Sequence, residues 1–190
     1  MSNSVTDHAI VSCESENLIL VDQQDREIGT LDKATCHDGS GILHRAFSLF
    51  VFNSSGELLL QKRSSQKRLW GGYWSNSCCS HPREGEDMAE ATSRRLQQEL
   101  GIHCPLHFLY KFEYQASFGD EGSEHELCSV YLGRSDESVI ANLNEVEDWR
   151  FVEPAALEKE MLEETGPFTP WFKMEWQEVR SRYREILGLN

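Results

Sequence analysis

The sequence predicts one α+β domain built in layers, with mixed or antiparallel sheets flanked by helices. Two pairs of strand-like segments come first, one amphipathic helix follows, and more strands and two terminal helices complete the chain. This order is neither the regular strand–helix alternation of a parallel α/β fold nor the strand-only pattern of a sandwich. With 190 residues, of which 39% are hydrophobic, the chain can bury a substantial core without disulfides or metals. We expect a flexible tail over residues 1–16 and a single domain over residues 17–190.

The first half of the chain predicts two hairpins separated by a loop. Segments 17–22 and 26–33 flank the polar turn QQD, and segments 46–53 and 56–63 are joined through the turn residues NSSG. The loop 36–44 contains two glycines. Segment 46–53 is almost entirely apolar, which predicts a strand that is buried on both faces.

The central helix is predicted over residues 84–102. Acidic residues crowd its first turn, where the helix dipole favours them. The positions expected to face the core repeat every four residues from Met88 to Leu100, and Gly101 is placed to end the helix. Strands are then predicted over 106–114, 125–133 and 148–152, followed by a short helix over 154–162.

The last predicted helix starts at the N-cap residue Thr169, with Pro170 in its first position. Its apolar stripe consists of Phe172, Trp176, Val179, Tyr183 and Ile186. Trp171 lies about 100° around the helix from this stripe. Core packing therefore explains Trp171 less well than it explains Phe172.

The charge and hydropathy of the chain narrow the classes of partner. The formal net charge is −14, and a strongly acidic surface repels nucleic-acid phosphates. No run of about 18 apolar residues is present to span a membrane, and the start of the chain lacks the apolar stretch of a signal peptide. We therefore expect a cytoplasmic protein with no nucleic-acid and no membrane partner.

The segment 61–68, QKRSSQKR, is a local exception to this acidity. It places four cations within seven positions, at Lys62, Arg63, Lys67 and Arg68. Two interpretations are open at this point. The segment is either a solvated turn after a strand or a site for the anionic group of a small phosphorylated ligand.

Six cysteines occur without a CxxC pair, which disfavours a zinc ribbon or a dithiol redox site. We expect free thiols, with Cys13, Cys104 and Cys128 acting as small apolar core residues. Cys78 and Cys79 differ from these because they are adjacent to each other and close to a histidine.

Five side chains have the chemistry of a metal site, namely His37, His44, His81, Glu124 and Glu126. In a strand the two glutamates project from one face while His125 projects from the other. Three imidazoles and two carboxylates suit Zn²⁺ or Mn²⁺. Isolated loop histidines are also common on protein surfaces, so spacing alone leaves both interpretations open.

Residues 80–102 resemble the Nudix box, whose pattern is G-x5-E-x7-R-E-U-x-E-E-x-G-U with U an aliphatic residue. The matching positions are Glu86, Arg94, Leu96, Glu99, Gly101 and Ile102. Ser80 replaces the first glycine, Arg95 replaces a glutamate, and Gln98 replaces one of the paired glutamates. In a Nudix hydrolase the carboxylates hold divalent cations against a diphosphate. The resemblance therefore implies the Nudix fold with an impaired hydrolytic metal cluster.

Further motifs extend the resemblance to a narrower family. NSCCSHP leads into the altered box, FEYQA and SEHELCSV follow it, and TPWF lies near the end of the chain. With these motifs the sequence resembles the type 1 isopentenyl-diphosphate isomerases from about residue 18 to residue 176. The resemblance implies a Nudix-like α+β fold and the interconversion of isopentenyl and dimethylallyl diphosphate, a step of isoprenoid biosynthesis.

The resemblance also implies roles for individual residues. Cys79 and Glu126 would be the catalytic acid and base, and Tyr114 would assist Glu126. Trp171 would stabilise a carbocation through its ring face. The family has a glycine where this chain has Ser80, which leaves open whether the serine must adopt a positive φ there.

Two kinds of metal ion and a phosphate clamp follow from the same resemblance. One Mn²⁺ or Zn²⁺ ion would be held by His37, His44, His81, Glu124 and Glu126. Mg²⁺ would bind with the substrate diphosphate through Glu99. The phosphates would be bound by Lys33, Arg63, Lys67 and Arg95.

Two alternatives to an isomerase remain. A Nudix hydrolase is supported by Glu86, Arg94 and Glu99, whereas Arg95 and Gln98 oppose it. A non-catalytic module that senses phosphates would leave the cysteine, the tyrosine and the EHE motif unexplained. For the favoured isomerase we expect a small-molecule diphosphate substrate and either a monomer or a weak homodimer.

Overall fold

The computed structural model describes residues 9–163 and 166–183 of the chain. Within these ranges the chain forms nine strands and four helices. In chain order these are β1 Asn17–Val21, β2 Glu27–Asp32, α1 Lys33–Cys36, β3 His44–Phe52, β4 Leu58–Arg63, β5 Trp74–Ser75, β6 Cys78–Ser80, α2 Met88–Leu100, β7 Leu106–Ser117, β8 Ser123–Arg134, β9 Val146–Val152, α3 Pro154–Leu162 and α4 Pro170–Arg182. Mixed sheet flanked by helices is the predicted α+β fold class.

Strand β3 organises the sheet. On one edge it runs parallel to β8, with paired positions from His44 opposite Glu126 to Phe52 opposite Arg134. On its other edge it meets β1, β6 and β4 in succession along its length. The remaining strands extend the sheet in antiparallel fashion, β2 on β1, β7 on β8, and β5 and β9 on β4.

Both faces of β3 are covered, as the apolar sequence predicts. One face packs against α2 through Phe47, Leu49, Val51, Ala91, Leu96 and Leu100. The other face packs against α4 through Ala46, Phe50, Phe52, Phe172, Trp176 and Val179. Because successive side chains of a strand point to opposite faces, a continuous apolar run fills two cores at once. The result is a helix–sheet–helix arrangement.

Helix α2 follows the predicted periodicity but starts later than expected. Its N-cap is Asp87, whose carboxylate accepts a hydrogen bond from the backbone N–H of Glu90 at 2.8 Å. Gly101 adopts a left-handed φ of 69° and ends the helix. The face that meets β3 also carries the buried side chains of Arg95 and Glu99.

The start of α4 departs from the prediction in one respect. Thr169 is the N-cap residue, but its hydroxyl makes no capping hydrogen bond. It lies instead 2.9 Å from the Ser75 hydroxyl, and the backbone N–H of Thr169 donates to the Trp74 carbonyl at 3.0 Å. Because β5 offers these partners, α4 is attached to the sheet at its first residue. Of the predicted apolar stripe, Ile186 lies outside the described residues.

The short strands β5 and β6 were not predicted, because two or three residues are too few to show an alternating pattern. The hairpin of β7 and β8 is longer than predicted.

Of the cysteines expected in the core, Cys128 is buried and Cys104 is half-buried, but the prediction for Cys13 is wrong because its side chain is exposed.

The segment from residue 9 to residue 16 contacts the domain. The side chain of Asn142 donates to the Ala9 carbonyl at 2.8 Å, and Arg95 donates to the Val11 carbonyl at 2.7 Å. Residues 1–8 of the expected tail lie outside the described residues, and the boundary at residue 17 stays a prediction. Among the described helices, none has the length and apolarity needed to cross a membrane.

The packing of α4 on β3 predicts a difference between two neighbouring positions of the helix. Phe172 is fully buried and its ring lies 6.0 Å from that of Phe50, whereas Met174 is 41% exposed. We expect Phe172→Ala to lower the free energy of unfolding by about 3–5 kcal/mol, and Met174→Ala to change it by less than about 0.5 kcal/mol. Urea unfolding monitored by circular dichroism measures both. Equal losses in the two variants would contradict the assignment of the buried face.

Candidate active site

The pairing of three strands places a tyrosine and a histidine on either side of Glu126. In the register of the sheet, Glu126 is opposite Tyr114 of β7 and opposite His44 of β3. Directly paired residues project to the same face, so the three side chains meet. The Tyr114 hydroxyl donates to Glu126 Oε2 at 2.7 Å, and His81 Nε2 lies 3.0 Å from Glu126 Oε1. Both carboxylate oxygens are therefore held in place.

Next to Glu126, three histidines and a glutamate form a buried cluster. One donor atom from each of His37, His44, His81 and Glu124 lies within 4.8 Å of all the others. His44 Nε2 is 3.2 Å from His81 Nε2 and 3.7 Å from Glu126 Oε1. The fold therefore brings all five predicted ligands together. His125 projects away from them toward Glu113, as strand alternation requires.

The donor atoms of this cluster fit a divalent cation. His37 Nε2 and Glu124 Oε2 face each other at 3.0 Å, which is within ion-pair distance. Within the described part of the chain these two buried atoms have no further hydrogen-bonding partner, so another group is needed to satisfy them fully. A nitrogen-rich set with carboxylate oxygens suits Zn²⁺ or Mn²⁺. The cluster could therefore hold a metal ion.

Two features orient the ligands before any ion binds. His44 Nδ1 is 2.7 Å from the Ile42 carbonyl, and because a carbonyl only accepts, Nδ1 carries a proton and Nε2 is the nitrogen that faces the cluster. His37 is positioned by Gly122, whose φ is +145°. A Cβ added to Gly122 would lie 2.4 Å from the His37 carbonyl oxygen, so only glycine permits this approach. The N–H of Ser123 then donates to that carbonyl at 2.9 Å.

Burial and neighbouring charges shift the pKa values of the cluster. Burial lowers the pKa of His81 to about 4, so its imidazole is neutral, which is the form a metal ion needs. Burial opposes ionisation of Glu126, but the hydrogen bonds of His44 and His81 outweigh it and hold the pKa of Glu126 well below its usual value. For His44, burial lowers the pKa and Glu126 raises it by more. A bound cation would oppose that last shift.

The strand β6 distinguishes the two adjacent cysteines. Cys78 pairs with Leu49 and Cys79 pairs with Ser48, so Cys78 points into the core under α2 and Cys79 points to the opposite face. Burial raises the pKa of Cys79 to about 12, which keeps its side chain a thiol. Ser80 ends this strand. Its φ is not positive, so serine adopts the backbone conformation at this position without strain.

Cys79 and Glu126 line the same cavity. Its wall also contains Tyr114 and Trp171, three of the metal-type side chains, and a group of cations. The cations on the wall are Lys33, Arg63, Lys67, Arg68 and Arg95. The cation-rich segment QKRSSQKR therefore contributes three side chains to the cavity, whereas Lys62 pairs with Glu147 outside it.

Trp171 is both a core residue and part of the cavity wall. It is only 2% exposed and belongs to the core, but unlike Phe172 it also lines the cavity, so core packing accounts for Phe172 fully and for Trp171 in part. Its ring packs edge-on against Trp70 at 5.2 Å, and its indole N–H donates to the Ser75 hydroxyl at 3.1 Å. The Arg63 guanidinium lies 5.2 Å from the Trp171 ring centroid. The ring thus already has a cation beside it, consistent with its electron-rich face.

The carboxylates that survive from the Nudix box are both paired with arginines. Arg94 donates to the two oxygens of Glu86 at 2.6 and 2.8 Å. Glu99 is 3% exposed and accepts from Arg95 Nε at 3.0 Å and from Gln61 at 3.2 Å. Glu99 is not among the residues that line the cavity, because its carboxylate faces Arg95. Internal cations thus occupy both carboxylates that a hydrolase of this fold would direct at metal ions.

Two residues near the cavity escaped the sequence analysis. Glu145 is buried and accepts hydrogen bonds from Lys67 and Arg95. It is one acidic residue within the stretch NEVED, so no spacing distinguishes it. Ser75 is fully buried and its hydroxyl lies 3.7 Å from the Cys79 sulfur. Only tertiary contacts identify these two side chains.

Comparison with known proteins places the chain in a family. The NUDIX domain matches residues 42–172. The chain is 42% identical over 174 residues to isopentenyl-diphosphate Delta-isomerase 1 of Photorhabdus laumondii subsp. laumondii, which covers 90% of this chain and 99% of the relative. It is 45% identical over 157 residues to isopentenyl-diphosphate Delta-isomerase of Burkholderia multivorans, which covers 83% of this chain and 89% of the relative.

Solved structures resemble the chain in fold. The crystal structure of DR0079 from Deinococcus radiodurans superposes with a TM-score of 0.68 at 21% identity, over 84% of this chain and 96% of that protein. The MutT protein of Methanosarcina mazei superposes with a TM-score of 0.61 at 16% identity, over 75% of this chain and 96% of that protein. At these identities the likeness shows the fold alone.

The domain match and these two relatives, which exceed 40% identity over most of the chain, show the family. The chain belongs to the Nudix family and, within it, to the type 1 isopentenyl-diphosphate Delta-isomerases.

Proposed function

We propose that the protein interconverts isopentenyl and dimethylallyl diphosphate by adding a proton at one carbon and removing a proton at another. The observation that carries the proposal is the shared cavity. Cys79 and Glu126 line one cavity, with Trp171 and five cations on its wall. This wall offers proton-transfer groups and an aromatic face for a hydrocarbon chain, and cations for a diphosphate.

The reaction needs both an acid and a base because the substrate is an isolated alkene. No carbonyl is present to stabilise a carbanion, so a proton is first added at C4, which leaves a positive charge at C3. A proton is then removed from C2 and the double bond forms between C2 and C3. No other atoms or electrons enter or leave. Cys79 and Glu126 take these two opposite roles.

The described contacts support the individual roles. Tyr114 donates a hydrogen bond to Glu126 Oε2 at 2.7 Å and so fixes the orientation of the carboxylate. The Trp171 ring, buried beside Arg63, would stabilise the positive charge at C3 by roughly 2 kcal/mol. Lys33, Arg63, Lys67 and Arg95 would bind the diphosphate oxygens.

Two kinds of ion complete the proposal. The histidine cluster with Glu124 and Glu126 would hold Mn²⁺ or Zn²⁺, and such an ion supplies a fixed positive charge that tunes the acidity of Glu126. Mg²⁺ binding with the diphosphate through Glu99 stays a prediction, because the Glu99 carboxylate pairs with Arg95 and does not line the cavity. A cytoplasmic location and a monomeric or weakly dimeric state stay predictions.

Incubation of the purified protein with isopentenyl diphosphate and Mg²⁺ in deuterated water tests the reaction. We expect dimethylallyl diphosphate that carries deuterium, because the added proton comes from a group that exchanges with solvent. Mass spectrometry measures the deuterium in the product, and a phosphate assay measures any phosphate that is released. Release of orthophosphate or of a monophosphate would instead identify a hydrolase, and binding without any product would identify a phosphate sensor.

The opposite orientation of the two adjacent cysteines predicts different effects on turnover. Cys79→Ala should lower kcat by at least about 10²-fold because it removes a proton-transfer group, and Glu126→Gln should do the same. The matched control is Cys78→Ala, which changes a core thiol and should keep kcat within about threefold. Circular dichroism would verify that each variant is folded. Full activity of Cys79→Ala would rule out its role as acid or base.

The close approach of Gly122 to His37 predicts an effect on metal binding that does not depend on activity. Gly122→Ala should weaken Zn²⁺ or Mn²⁺ binding about 10- to 100-fold, because the new Cβ displaces the backbone that positions His37. The control is Gly29→Ala, since Gly29 has nearly the same φ, +149°, but has open space around it. Titration against a chromophoric chelator measures the affinity. Equal weakening in both variants would mean that backbone strain, and not the contact with His37, is responsible.

A further inference from the structure

The carboxylate of Glu145 has no role in the proton transfer described above. The residue immediately precedes β9 and is only 3% exposed. Its Oε2 atom accepts a hydrogen bond from Lys67 Nζ, and the same atom lies 3.2 Å from Arg95 Nη2. Two cations of the cavity wall therefore converge on one oxygen of one buried side chain.

The backbone of Glu145 joins the two elements that carry these cations. The N–H of Ser64 donates to the Glu145 carbonyl at 2.9 Å, and the N–H of Lys67 donates to the Ser64 carbonyl at 3.0 Å. On the other side, the N–H of Asn142 donates to the carbonyl of Glu99 in α2 at 2.8 Å, and the N–H of Glu145 donates to the Asn142 carbonyl at 2.9 Å. The position of the carboxylate is thus fixed relative to both cations.

Two cations close together need such an anion. Arg95 is 2% exposed, and like charges brought together away from water repel each other strongly. Burial raises the pKa of Glu145, but Lys67 and Arg95 outweigh burial and lower it, so the carboxylate is ionised. Glu99 compensates Arg95 as well, whereas among the described residues Glu145 is the carboxylate that pairs with Lys67.

We propose that Glu145 is a positioning residue that holds Lys67 and Arg95 at one point of the cavity wall, where both can donate to the diphosphate of the substrate. The inference rests on the proposed function in one respect, namely that these cations bind a diphosphate. It adds a role for a residue that contacts the cations and not the reacting carbons.

The hydrogen-bonding capacity of the cations agrees with positioning. An ammonium group has three N–H donors, and one of them is used on Glu145 within the described part of the chain. The other two remain for phosphate oxygens, so a diphosphate can bind Lys67 while Glu145 stays in place. A carboxylate that merely competed with the substrate would have to leave for binding to occur.

Binding of inorganic pyrophosphate with Mg²⁺, measured by isothermal titration calorimetry, tests the proposal without any turnover. Glu145→Gln removes the charge, and Glu145→Asp keeps the charge but withdraws it by one methylene from the two cations. We expect weakening of about tenfold for the first and about threefold for the second. Glu147→Gln and Glu147→Asp are the matched controls, because Glu147 pairs with Lys62 at the exposed surface, and both should leave binding unchanged.

Steady-state kinetics with isopentenyl diphosphate provide the second measurement. Loss of positioning should raise KM by a similar factor and keep kcat within about twofold, because ground-state and transition-state binding of the diphosphate weaken together. Circular dichroism would check folding, and Glu145→Asp carries the test if Glu145→Gln does not fold.

Several results would overturn the inference. Unchanged binding in the Glu145 variants, or a fall in kcat at constant KM, would remove the positioning role. Tighter pyrophosphate binding would show that the carboxylate competes with phosphate for the cations. If the wild type binds pyrophosphate but does not isomerise isopentenyl diphosphate, the proposed function fails while the comparison of Glu145 with Glu147 still decides the role of Glu145.

Discussion

The parallel pairing of β3 with β8 is the constraint on which the site depends. It sets His44 opposite Glu126, and the pairing of β7 with β8 sets Tyr114 opposite the same carboxylate. Side chains alternate along a strand, so a shift of one position would turn every one of these groups to the other face. Such a shift is strongly disfavoured, because both faces of β3 are packed with large apolar side chains. The hydrophobic cores therefore maintain the register that assembles the polar site.

Charge compensation is the second organising element. A chain of net charge −14 lines one cavity with five cations, and each has a partner inside the protein. Arg95 and Lys67 are held by carboxylates, Arg63 by the carbonyls of residues 69 and 70, Lys33 by a hydroxyl, and Arg68 by Asp38. The same pairing explains why the remnants of the Nudix box no longer resemble a hydrolytic site. Arg95 stands where the Nudix box has a glutamate, so the cavity wall carries a cation in place of a carboxylate.

The sequence supported the fold class, most strands and the identity of the side chains that cluster around Glu126. Hydrophobic periodicity located α2 and β3 because burial imposes a regular spacing on long elements. His37, His44 and His81 were candidates for their ligand chemistry alone, and the family motifs were needed to favour a metal site over surface histidines, because no local pattern connects the three residues. Glu145 and Ser75 could not be predicted, because their importance comes from contacts with residues far along the chain. The burial of Trp171 could not be predicted from helical spacing, which describes one face of α4. Ser75 of β5 and Tyr114 of β7 contact Trp171 on another face.

The adjacent thiols of β6 have a consequence for the design of covalent inhibitors. Cys78 is buried beneath α2, and Cys79 lines the cavity. The two sulfur atoms therefore lie on opposite faces of a three-residue strand, although their residues are adjacent. An electrophile carried by an anionic, branched hydrocarbon mimic would meet one sulfur atom and not its neighbour. Because burial raises the pKa of the cavity thiol to about 12, warheads that react with neutral sulfur would be a better starting point than soft reagents that need a thiolate.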